Sequence, residues 1–157
     1  MDRREHRTEG FTLVELVVVV AVIGALLAIV APTLLGARAR ADARASEALV
    51  HDALLAAKST DQDGYAAVTL TELSRTEPAV HFVDGSTVAS SDHHEVSVAV
   101  GTSGGDDYVV LASRSHDGGC YAIVDHERSP VGYQRTGGSA CDADAFDPTH
   151  GWSDIWP

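Results

Sequence analysis

Several groups of side chains in this 157-residue chain have the types and spacing to do chemistry. Glu15 is a lone carboxylate at the head of an apolar run, and from Leu16 to Ala37 there are 22 residues without a charge. At ~1.5 Å of rise per residue, a helix of that length covers the ~30 Å hydrocarbon core of a bilayer. A carboxylate in lipid costs roughly 2.5–3.5 kcal/mol at mid-helix and less near the interface, so Glu15 implies a use beyond anchoring. Asp92-His93-His94-Glu95 has the residue types of a metal site. Adjacent residues on an extended chain point to opposite sides, however, so we expect no metal there. Ser113, Ser115, His116 and Asp117 include the members of a hydrolytic triad, but no Gly-x-Ser-x-Gly elbow accompanies them. Asp142, Asp144 and Asp147 could line a calcium loop, yet the glycine and terminal glutamate of an EF-hand are missing, so a solvated acidic loop is expected. With no P-loop and no dinucleotide fingerprint either, neither an enzyme nor a cofactor is expected.

The order of residues around Glu15 carries more. Met1 to Glu9 is a short polar leader ending in Gly10, and Phe11-Thr12-Leu13-Val14-Glu15-Leu16 follows. This run resembles the processing and methylation site of the type IV pilin family, which includes pilins and the pseudopilins of type II secretion. The resemblance implies cleavage after Gly10 by a prepilin peptidase, methylation of the new amine on Phe11, and an assembly role for Glu15. It also places Pro32 where many members kink the helix. A secretory signal peptide is cut after its apolar segment. Here the small residue comes first, so processing would leave the helix on the mature chain.

Elements must then position these residues. Thr12 to Lys58 reads as one helix, greasy below and amphipathic above, with Ala41, Ala45, Ala48, Leu49, Leu55 and Ala56 as the stripe that meets a sheet. Asp61 to Gly64 is turn-like, and Thr69 to Leu73 could form a short helix stopped by Pro78. Strand signals follow at Ala79–Val83, Val96–Val100, Tyr108–Ala112 and Cys120–Val124, with a weaker one around Val131–Gln134. Tyr108–Ala112 is apolar throughout and should be central. The expected fold is α+β and pilin-like: a long N-terminal helix packed on an antiparallel sheet of about four strands. Four segments are expected: a leader at 1–10, a transmembrane and assembly half-helix at 11–37, an amphipathic half-helix at 38–60, and a globular head at 61–157.

Charge is unevenly spread. From Asp61 onward there are 16 acidic residues against four arginines, so the head carries the whole net charge of −12. That favours solubility and works against phosphate contacts, so no nucleic-acid partner is expected. Arginines flank the apolar run on both sides, and the positive-inside count is a draw. The resemblance puts the leader in the cytoplasm and the head outside. Cys120 and Cys141 are the only cysteines. An even pair in a domain outside the cell reads as a disulfide, and many pilins staple a C-terminal loop this way. A metal pair or two free thiols are the alternatives. Trp152, Trp156 and Phe146 are expected to pin the tail to the sheet.

The resemblance thus implies a structural subunit of a type IV pilus or related filament. It would span the cytoplasmic membrane once before assembly and then join a cell-surface filament. Expected partners are the prepilin peptidase and methylase, copies of itself and related pilins, and the assembly machinery in the membrane. A pseudopilin of type II secretion, or a minor pilin for priming, adhesion or DNA uptake, is the alternative.

Overall fold

A computed structural model describes residues 11–61, 64–138 and 141–157, with the backbone alone at Pro32 and Thr33. Helix α1 runs from Leu13 to Thr60. The chain divides into two compact units, Met1–Arg38 and Ala39–Pro157. In the first unit the described residues are the apolar turns of α1, whose large side chains from Phe11 to Leu35 are all exposed. In the second unit the rest of α1 packs on a sheet. Its buried stripe is Ser46, Val50, Ala53, Leu54 and Ala57, with Ala56 beside it.

That stripe corrects the sequence reading. Ala41, Ala45 and Ala48 are exposed, Leu49 is only partly covered, and Leu55 is 62% exposed; of the expected set, Ala56 alone is buried. Alanine is spread around this helix, so periodicity alone does not single out one face. The spacing 46, 50, 53, 54, 57 satisfies the helical period equally well and brings Val50 and Leu54 inward.

The sheet has five strands in the order β1-β2-β3-β4-β5. They are β1 (His81–Asp84), β2 (Glu95–Ser103), β3 (Asp106–Arg114), β4 (Gly119–His126) and β5 (Ser129–Gly137). The sequence suggested about four antiparallel strands; the weak signal at Val131–Gln134 is a full edge strand, and β1 pairs parallel to β2. The other pairings are antiparallel, and β3 is central as expected. A short helix α2 (Leu70–Thr76) precedes β1, closed by a capping box between Thr69 and Glu72.

Both faces of the sheet are covered, which explains the unbroken apolar runs of β3 and β4. Val96, Val98, Val109, Leu111 and Ile123 meet α1. On the other face Val110, Ala112, Ala122 and Val124 lie under the disulfide Cys120–Cys141 and Ala143. The tail then returns along the β5 edge, where Tyr133 and Ser153 exchange backbone hydrogen bonds of 2.8 and 3.0 Å. Trp152 stays on the disulfide face against Phe146, whereas Trp156 reaches the helix face and packs on Tyr121 and Tyr133. These aromatics pin the tail, as the sequence suggested.

Candidate functional site

The site begins where α1 begins. Thr12 is the last residue before the helix, and its backbone N–H and hydroxyl both donate to Glu15 Oε2, at 2.9 and 2.8 Å. In return the Glu15 N–H donates to Thr12 Oγ1 at 3.2 Å. This is a capping box, in which two of the backbone donors that open a helix are satisfied reciprocally. The sequence signal was Thr-x-x-Glu ahead of an apolar run, and the reading of Glu15 as an assembly group passed over it. Phe11, just outside the box, is 81% exposed. Gly10 lies outside the described residues.

Above the box the helix presents exposed apolar side chains. Leu13, Val14 and Leu16 are 79, 68 and 58% exposed, and this exposure continues to Leu35. By length and composition α1 can cross a membrane. Helical structure continues through Pro32. Burying such a surface requires lipid or other apolar helices, and the two surroundings differ little in hydrophobic free energy. The Glu15 carboxylate at its start is a charged group, whose burial in an apolar setting carries a cost that the neighbouring aliphatic side chains do not.

The remaining sequence candidates fall elsewhere. Cys120 and Cys141 are bonded and fully buried, their Cα atoms 5.4 Å apart. Ser113 and Ser115 are buried, with no hydrogen-bond partner for either hydroxyl among the described residues, while Asp117 accepts from the Gly119 N–H and faces Arg135 at 3.5 Å. The triad-like residues are thus not assembled as nucleophile and base. Asp142 Oδ1 accepts from the Asp144 N–H, and Asp147 Oδ1 accepts from the Thr149 N–H and hydroxyl. Those last two bonds, made best to the ionised form, hold the Asp147 carboxyl below the ordinary aspartate range. Asp142 and Asp147 each cap their own turn.

Sequence reading also missed a buried polar cluster at the top of α1. Asp125, 4% exposed on β4, accepts a hydrogen bond from the Tyr65 hydroxyl and an ion pair from Lys58 Nζ at 3.1 Å. It joins the end of the helix to the sheet through residues too far apart in sequence to be paired by pattern.

Comparison with known proteins gives one finding. Residues 6–31 match the family model described as the prokaryotic N-terminal methylation motif. No curated protein and no solved structure matches the chain. The match spans the capping box and most of the uncovered apolar helix, and points to a structural protein processed by a prepilin peptidase. With the long helix, the mostly antiparallel sheet and the stapled loop, the motif supports this chain as a type IV pilin-family prepilin.

Proposed function

We propose that this protein is a filament subunit of the type IV pilus class, cleaved after Gly10, methylated on Phe11 and polymerised through α1. The observation that carries the reading is the combination of exposed large apolar side chains from Leu13 to Leu35 of α1 with a single carboxylate at its first turn. In the membrane, lipid covers the helix; in a filament, the same surface meets the helices of neighbouring copies. Because the apolar surface gains little from that exchange, register falls to Glu15. Cleavage creates an amine at Phe11, and the Glu15 carboxylate of one subunit pairs with the amine of the next. In so dry a setting a charge left without a partner is costly, so misregistered docking is disfavoured.

The head then lies outside the cell, where an oxidised Cys120–Cys141 pair persists. Electron microscopy of sheared surface fibres, with mass spectrometry of their protein, tests the reading. The expected result is an abundant mature chain beginning with methylated Phe11. Fibres lacking this chain, with the mature protein retained in the membrane, would move it to the pseudopilin class.

A further inference from the structure

A groove of about 370 Å³ opens beside the tail, at the end of the sheet where β2 turns into β3 and β4 into β5. Asp106, His126, Pro130, Pro148, Trp152 and Asp154 line it. Its walls are held in place. His126 Nε2 lies 2.9 Å from Pro148 O, and the Trp152 indole N–H donates to Asp147 O at 2.8 Å. Two of these lining residues are carboxylates, and no lysine or arginine is among the described residues around the groove. Arg128, on the adjoining turn, is directed to Gly105 O at 3.0 Å. Asp106 Oδ1 is buried and has no hydrogen-bond partner among the described residues. A carboxylate with one oxygen removed from water favours a cation at the other. An aromatic ring beside it suits a guanidinium, which stacks on rings and donates to carboxylates.

This chain carries exposed guanidiniums at the other end of the same Ala39–Pro157 unit. Helix α1 climbs in the direction of β4. The His51 ring packs on Tyr133, whose strand partner is Ile123, and Lys58 reaches Asp125 further up. Arg44 lies about two turns before His51, roughly 21 Å from Lys58 along the axis, and Arg40 one turn before that. Both arginines are exposed, and neither makes an ion pair among the described residues. Like charges four residues apart on a helix repel, and a carboxylate brought to them relieves the repulsion.

We propose that the groove of one copy receives the Arg40–Arg44 pair of a second copy, with Asp106 and Asp154 as the receiving carboxylates. The contact rests on the filament reading, in which all copies share one membrane orientation. In parallel copies, features at opposite ends of a unit meet head to tail and not by two-fold exchange. Such a contact repeats from copy to copy without closing. It adds to the α1 packing a bond between the outer units, and salt weakens that bond.

The test is cross-linking of full-length copies in membranes and in sheared surface fractions with a short bismaleimide. Arg40→Cys and Asp154→Cys chains are co-expressed. The native cysteines are bonded and fully buried, so the new thiols are the ones that react. A dimer band should form with both chains present and with neither alone. Adding Arg44→Asp to the first chain, or Asp106→Arg to the second, should weaken the band at least tenfold. Both reversals together should restore it, which also shows that the variants fold. Asp106→Asn, close to the native shape, should weaken it as well. No band, or a band of full strength in Arg44→Asp and Asp106→Asn, overturns the contact. Fibres that form without the band leave the filament reading standing, whereas a band in membranes without fibres keeps the contact and sinks that reading.

Discussion

Thr12 and Glu15 close the first turn of α1 on each other: the threonine gives its N–H and hydroxyl to the carboxylate and receives the glutamate N–H. The group proposed to hold a neighbouring subunit is therefore already hydrogen-bonded within its own chain. Substitution separates the two roles, because glutamine at the third helical position also closes a capping box whereas alanine does not. We expect Glu15→Gln and Glu15→Ala both to insert in the membrane and be cleaved. Only Glu15→Ala should lose amide-exchange protection at the start of α1, and neither should make fibres. Normal fibres from Glu15→Gln, seen by electron microscopy, would show that the box and not the charge matters.

The disulfide connects the first residues of β4 to the segment from Cys141 to Phe146, the strap that lies on the face away from α1. Both cysteines are fully buried, so their loss opens the strap as well as the cross-link. Closing a loop of about this length contributes on the order of 3 kcal/mol. The double variant Cys120→Ala/Cys141→Ala should lower the melting temperature of the head by roughly 10 °C or more. Dithiothreitol should act on the intact protein only when unfolding exposes the bond. Reduction as fast in the folded protein as in urea would contradict the burial.

Tyr65 links the segment after α1 to Asp125. Burial, then the hydrogen bond and the charge of Asp125, push its phenol well above the ordinary tyrosine range. The fold thus favours the protonated phenol, so its contribution to stability is whole below pH ~10 and is lost as pH rises beyond that. Tyr65→Phe should cost about 1–3 kcal/mol at neutral pH by leaving a buried acceptor with one partner fewer. It should also flatten the decline of stability above pH ~10. Urea titrations from neutral to strongly alkaline pH measure both, and parallel declines in wild type and variant would assign the alkaline loss to other groups.

Legibility in the sequence followed how local the cause was. Glu15 stood out because a charge in an apolar run is costly whatever surrounds it, and the strands stood out because β3 and β4 are apolar on both faces. The packing face of α1 did not, because alanines at 41, 45 and 48 carry no instruction about which side is covered. The parallel pairing of β1 with β2 depends on the path of residues 85–94, where Gly85 donates to Val98 O and Ser90 donates to Cys141 O. No local pattern encodes that path. Asp125 meeting Lys58 and Tyr65, and His116 meeting His93, are likewise products of register, which appears only when the sheet is assembled.

Gly132 shows how tightly the tail is seated. A Cβ at that position would lie 2.7 Å from Trp152 Cβ and 2.9 Å from Val124 Cγ1. The valine methyl can rotate aside, but Trp152 is held by its indole N–H to Asp147 O at 2.8 Å and by the neighbouring Tyr133–Ser153 backbone pair. Gly132→Ala must therefore lift the tail or bend β5, at about 1–3 kcal/mol, the usual cost of overpacking. If the tail lifts, Trp152 leaves Phe146 and Trp156 leaves Tyr121 and Tyr133, so tryptophan emission should shift to the red while the sheet signal in circular dichroism persists. Unchanged emission with unchanged melting would mean that the tail does not rest on β5 at Gly132.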